Sequence, residues 1–265
     1  MDEKSWSAPR IGRCGAMWTM SQVAKVSKTI RSRHVGEEIT CARWGEFGTP
    51  VLLFPTAGGD GEECERFKMI YVLRPLIEAG RIKVYSCDSV GGRALSEKGR
   101  TTRSFAEAQT RFDRFIYDEM VPWIREDCET PDIEIITAGA SIGAFNAVAA
   151  LCRHPDVFKT AIAMSGTFDL TKWLDPPYTL DFYYSSPMHF LPRLGESKQL
   201  EMLRKRLILI PTGEGPWEEP AQSWRLAQVL GSKGIPNRVD AWGADYDHNW
   251  PTWREMLPKY LEQVA

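Results

Sequence analysis

The reading of the fold turns on residues 133 to 149, "IEIITAGASIGAFNAVA". An apolar run of β-forming residues ends at Gly139. Ser141 follows two residues later, then Gly143, then a run of small and apolar residues suited to a helix. The pattern Gly139-Ala140-Ser141-Ile142-Gly143 is a G-x-S-x-G, which raises a serine hydroxyl on a sharp strand-to-helix turn. Glycines on either side let the strand and the helix approach closely. The Ile142 N–H then faces a developing oxyanion, aided by the partial positive charge of the helix N-terminus. Small residues also occur at strand–helix junctions for packing alone. What favours the chemical reading is context, since the motif follows a strand and opens a helix.

Working outward, "TPVLLFPTAGG" and "RIKVYSCDSVGG" read as earlier strands, with "EEITCARWG" a looser one before them. "KTAIAMSG", "KRLILIPTG" and "PNRVDAWG" read as later strands. The apolar character of "TPVLLFPTAGG", "RIKVYSCDSVGG", "KTAIAMSG" and "KRLILIPTG" suits strands buried on both faces. Between them, "SFAEAQTRFDRFIYDEMVPWIRED", "GAFNAVAALCRHPDVF", "SWRLAQVLGSKG" and "NWPTWREMLPKYLEQV" carry helical spacing. The alternation predicts an α/β fold: a mostly parallel central sheet with helices on both faces. Ligands of such sheets bind at the carboxyl ends of the strands. Residues 1–30 read as a loosely ordered N-terminal extension and 31–265 as a single domain. The Pro- and Tyr-rich stretch 167–200 reads as a cap-like insertion.

Composition narrows the class. The chain has 265 residues, 43% hydrophobic and 26% charged, with a net charge of −2. This balance gives no electrostatic case for nucleic acid or an anionic membrane. No stretch reaches the roughly eighteen apolar residues of a membrane-spanning helix, and the first twenty residues, acidic at the start and without a long apolar run, do not read as a secretory signal. The six cysteines are scattered, with no zinc spacing. These features predict a soluble, cytoplasmic protein without metal or organic cofactor, and they leave homo-oligomer formation open. The ten tryptophans read first as core residues.

A serine nucleophile needs a base and an acid, which this fold supplies in the chain order Ser, acid, His. Of the four histidines, His34 and His154 are poorly placed and His189 lies in the insertion. His248 follows the last strand, where a general base belongs. The acid is expected on the loop "GEGPWEEP", which offers Glu214, Glu218 and Glu219 but no Asp. Glu218 is the first choice and Glu214 the second. Asp245 and Asp247 are close to His248 in sequence and could support its loop, but residues so near rarely face the same ring. The glycine-rich loop "FPTAGGDGEE" would bring a second oxyanion donor, the N–H of Ala57, Gly58 or Gly59. It lacks the spacing of a phosphate-binding loop. Tyr183, Tyr184, Trp217 and Trp250 are expected to line a substrate pocket.

Three separated segments, "FPTAGG", "GASIGAFNAVAALCRHPDVFKTAIAMSG" and "SKGIPNRVDAWGADYDHNWPTWREMLPKYL", resemble the esterase branch of the α/β-hydrolase fold. That branch includes the esterase D/S-formylglutathione hydrolase type, feruloyl esterases and the antigen 85 mycolyltransferases. The resemblance runs from about residue 35 to the C-terminus. It implies a serine carboxylesterase acting on small to medium acyl esters, with Ser141 as nucleophile, His248 as base, and oxyanion donors from Ile142 and the Gly58 region. An acyltransferase or thioesterase would use the same residues. A non-catalytic binding protein of this fold would have lost Ser141 or His248, and both are present. The departure is the acid loop, where many relatives carry Asp and this chain has Pro216.

Overall fold

The computed structural model describes residues 23–265. The extension expected over residues 1–30 lies mostly outside the described residues. Its end does not: Lys25–Arg31 forms strand β1. Seven further strands follow: β2 (Glu38–Trp44), β3 (Thr49–Phe54), β4 (Ile82–Cys87), β5 (Ile135–Ala140), β6 (Phe158–Met164), β7 (Leu207–Thr212) and β8 (Asn237–Ala241). They make one eight-stranded sheet in the order β1-β2-β4-β3-β5-β6-β7-β8. The pairs β1/β2 and β2/β4 are antiparallel, and all others are parallel.

The five helices that carry the layers are α1 (Met69–Glu78), α2 (Thr102–Phe115), α3 (Ile142–Arg153), α4 (Pro220–Ser232) and α5 (Trp250–Val264). Alternate side chains of a strand face opposite sides of a sheet, and β3 shows the consequence. Leu52 and Phe54 join a cluster with Phe112 and Phe115 of α2, Val148 of α3 and Leu226 of α4. Val51 and Leu53 join a second cluster with Leu73 of α1 and Trp253 and Leu257 of α5. Both faces are covered, which is why β3 and β5 read as unbroken apolar runs. β5 sits fourth from the β8 edge, and all six of its residues are buried.

Some elements depart from the expected pattern. The long helix expected over 104–127 is divided, with a π-type turn at Ile116–Met120 between α2 and a helix at Val121–Asp127. A capping box between Thr101 and Ser104 starts α2. Helix α1 contains Pro75 and begins from Lys68 at φ 63, without a side-chain cap. Residues 167–200 hold short helical pieces, including Leu180–Ser185. Leu170, Leu174 and Phe182 of this stretch pack with Phe105 of α2 and Ile142 and Phe145 of α3. The insertion therefore lies along one flank of the Ser141 turn.

Candidate active site

The turn from β5 into α3 is set by sterics. Ser141 has φ 58 and ψ −122, a left-handed backbone rarely adopted by a residue with a side chain. A Cβ on Gly139 would lie 2.3 Å from the Gly143 carbonyl carbon and oxygen. One on Gly143 would lie 2.5 Å from the Phe54 carbonyl oxygen and 2.7 Å from that of Pro55. Both flanking positions therefore require glycine. The Ser141 N–H donates to the Met164 carbonyl (3.1 Å), and the Ser141 carbonyl accepts from Ala144 and Thr167 (3.2 Å each). At the start of α3 the Ile142 N–H has no intrahelical acceptor.

Close approach of Gly143 to Pro55 brings the loop after β3 alongside the start of α3. In that loop the Gly59 N–H donates to the Thr56 carbonyl (3.1 Å), closing a tight turn. Gly58 has φ +73 and nothing within 4 Å of where a Cβ would stand, so the position opens outward. The Ala57 and Gly58 N–H groups donate to no acceptor among the described residues.

On the loop after β7, Gly215-Pro216-Trp217-Glu218 makes a turn closed by the Glu218 N–H on the Gly215 carbonyl (3.2 Å). Pro in its second position and φ 68 at Trp217 in its third are the pattern of a type II turn. The turn inserts the Glu218 side chain, 1% exposed, beneath His248. One carboxylate oxygen, Oε1, accepts from the Ser165 hydroxyl at 2.5 Å. The other, Oε2, accepts from Thr212 Oγ1 at 3.5 Å and lies 3.8 Å from His248 Nδ1. That is ion-pair range rather than hydrogen-bond range. His248 is the only basic group within 4 Å of Glu218 among the described residues. Ser165 Oγ in turn accepts from Trp253 Nε1 (3.0 Å), and Trp253 packs edge-on against the His248 ring at 5.2 Å. The two loops are also joined by backbone: Gly215 N–H donates to the Tyr246 carbonyl (3.0 Å) and His248 N–H to that of Pro216 (3.4 Å).

The other carboxylates lie apart. Glu214 is exposed, and its N–H donates to the Gly243 carbonyl. Glu219 pairs with Lys172, whose ammonium holds the carboxyl below its usual range. Asp247 abuts Gly215, whose Cβ would lie 2.3 Å from its Oδ1. Among the remaining histidines, His34 pairs with Asp118 (2.8 Å) and His154 with Asp113 (3.0 Å). His189 bonds Ser186 Oγ (2.8 Å), and burial pushes its imidazole down.

Of the aromatic residues expected around a pocket, Trp217 flanks Glu218 with 90% of its surface exposed. Trp250 stacks on Phe67 at 4.8 Å, two residues beyond His248. Tyr183 and Tyr184 lie elsewhere. They line a cavity of about 390 Å³ with Arg153, His154 and Arg193. The Tyr184 carbonyl accepts from Arg153 at the far end of α3, a helix of 12 residues and so about 18 Å long. Sequence position on an insertion does not fix which end of a neighbouring helix a side chain meets. Ser165, Thr212 and Trp253 escaped the sequence reading. The only signal for Ser165 was its place at the end of a buried strand.

The family described as "Putative esterase" matches residues 89–264. No curated protein matches the chain. Among solved structures, a ferulic acid esterase superposes with a TM-score of 0.70 at 17% identity, covering 92% of this chain and 97% of that one. An S-formylglutathione hydrolase from Agrobacterium tumefaciens gives a TM-score of 0.70 at 13% identity, with 90% and 93% covered. The fluorophosphonate-binding serine hydrolase F of Staphylococcus aureus gives 0.63 at 14%, with 92% and 98% covered. At such identities the likeness establishes a shared α/β-hydrolase fold. The family match extends over most of the chain and reaches from the loop after β4 to the end of α5, so the chain belongs to this esterase family and is a hydrolase acting on esters.

Proposed function

We propose that the protein hydrolyses small to medium acyl esters through Ser141, His248 and Glu218. The observation that carries this reading is the Ser141 backbone, held at positive φ between two glycines that admit no side chain. Strain of this kind persists where the surroundings over-determine it. In the reaction, His248 takes the proton of the Ser141 hydroxyl as the oxygen attacks the ester carbonyl. The N–H groups of Ile142 and of Gly58 or Ala57 receive the oxyanion. His248 returns the proton to the leaving alcohol, leaving an acyl-enzyme. Water then attacks the acyl-enzyme, with His248 as base again, and the carboxylic acid departs. Glu218 fixes the imidazole with Nδ1 protonated and stabilises its charged form. The histidine keeps 24% of its side chain exposed, which favours water as the acyl acceptor. Trp217 and Trp250 flank the mouth, and residues 167–200 act as a fixed cap on one side.

The test is hydrolysis of p-nitrophenyl acetate and butyrate by the protein beside Ser141→Ala. Turnover by the wild type alone is expected. Equal rates would assign the hydrolysis to adventitious nucleophiles and remove Ser141 from the role.

A further inference from the structure

Glu63 is a buried carboxylate to which the mechanism above gives no part. It is 5% exposed, and no Lys, Arg or His lies within ion-pair range of it among the described residues. A buried charge without a cation needs hydrogen bonds to be tolerated. Glu63 finds them on one residue: Oε2 accepts from the Thr56 N–H at 2.7 Å and Oε1 from Thr56 Oγ1 at 2.6 Å. The same carboxylate fills the space beside Gly59, where a Cβ would lie 2.5 Å from its Cδ and Oε2. Glu63 therefore grips both ends of the turn Thr56-Ala57-Gly58-Gly59.

The middle of that turn has no anchoring side chain of its own. Ala57 and Gly58 carry a methyl and a hydrogen, and their N–H groups have no acceptor among the described residues. The loop's exit is tied separately, by the Ser89 N–H on the Gly59 carbonyl (3.0 Å). From this geometry we infer that Glu63 is a positioning residue for the oxyanion: it holds the Thr56–Gly59 turn so that the Ala57 and Gly58 N–H groups stand ready beside Ile142. This rests on the reading of Ser141 as the ester nucleophile. Preorganised donors act because they need no rearrangement as charge develops. A negative charge this near the oxyanion would by itself oppose catalysis. What Glu63 contributes is shape, and Thr56 absorbs its charge through two hydrogen bonds.

The experiment compares Glu63→Ala, Glu63→Gln and Thr56→Val with wild type and Ser141→Ala. It measures kcat and KM on p-nitrophenyl butyrate, the thermal melt, and inhibition by an alkyl trifluoromethyl ketone, which forms an oxyanion on Ser141. Glu63→Ala should lower kcat about 30-fold with KM within about threefold, and weaken the ketone by the same factor as kcat/KM, less than the roughly 100- to 1000-fold of a donor removed outright, because the donors are displaced and not lost. Glu63→Gln keeps the shape, because its amide oxygen accepts from the Thr56 N–H and its amide nitrogen donates to Oγ1. It should recover most of that loss. Thr56→Val removes one of the two bonds and should lower kcat about fivefold. If Glu63→Ala fails to fold, Thr56→Val decides. Folded Glu63→Ala or Thr56→Val with kcat and ketone affinity within about twofold of wild type would overturn the inference. So would Glu63→Gln losing as much as Glu63→Ala, since charge rather than position would then matter. A wild type no faster than Ser141→Ala would overturn the ester-nucleophile reading and this inference with it. Loss confined to Ser141→Ala would overturn this inference alone.

Discussion

The two halves of the candidate site are built by different means. The Ser141 turn lies on a central, fully buried strand and is held by backbone contacts that exclude even a methyl group. The Glu218–His248 pair lies on the loops after β7 and β8, toward the sheet's edge, and is held by side-chain hydrogen bonds from Ser165 and Thr212. The first half fixes a geometry that depends on hard-sphere sterics. The second leaves 3.8 Å between carboxylate and imidazole, a gap that small movements can close. Hydrogen bonds of catalytic groups are often long in a free enzyme and tighten on substrate binding. On the proposed reading, a nucleophile that must not move and a base that must move are served by these two constructions.

The comparison predicts where each half breaks. Removing the nucleophile with Ser141→Ala should lower kcat on p-nitrophenyl butyrate by about 10⁴-fold or more. The thermal melt should hold, because alanine keeps the Cβ and the backbone turn and removes only the hydroxyl. Gly143→Ala strikes the same turn through packing. Its methyl would meet the Phe54 and Pro55 carbonyl oxygens at 2.5 and 2.7 Å, and a loss of about 3 kcal/mol or more is expected in a denaturant titration. In the softer half, Glu218→Gln should cost about 100-fold in kcat, with little change in stability. Glu214→Gln should leave the rate near wild type, and the reverse pattern would move the acid to Glu214. Smaller than Glu218→Gln should be the effect of Ser165→Ala, which frees one oxygen of Glu218 and leaves Trp253 Nε1 without an acceptor. A fall in kcat of about five- to tenfold at nearly constant KM is expected.

The same contrast explains what could be read from the sequence. β3, β5, β6 and β7 are covered on both faces, so burial wrote itself into unbroken apolar runs. The G-x-S-x-G was legible because sterics leave no alternative to glycine at Gly139 and Gly143. β1, "KVSKTIR", was not legible. It is a mostly exposed edge strand whose partner supplies its hydrogen bonds, and its side chains carry little pattern. Helix α1 lacks a capping residue and contains Pro75, so its sequence argues against what its packing enforces. Glu218 could be ranked ahead of Glu214 from its loop, yet the turn through Trp217 that buries the one carboxylate and leaves the other exposed has no local sequence pattern. The roles of Ser165, Trp253 and Glu63 depend on contacts between distant segments, which no local spacing announces. Tyr183 and Tyr184 show the limit from the other side: a plausible residue type in a plausible segment, facing another cavity.

The edge position of β8 has a consequence for how activity is lost on warming. This strand pairs only with β7, and none of its five residues is buried. Elements with few buried contacts open at lower free energies than the core. Opening of β8 would carry His248 away from Glu218 while β5 and the Ser141 turn stay folded. Heat inactivation should therefore begin below the global melting temperature and reverse on cooling. Amide hydrogens of residues 237–241 should exchange faster than those of 135–140, marking a catalytic lifetime set by a fraying edge rather than by collapse of the core.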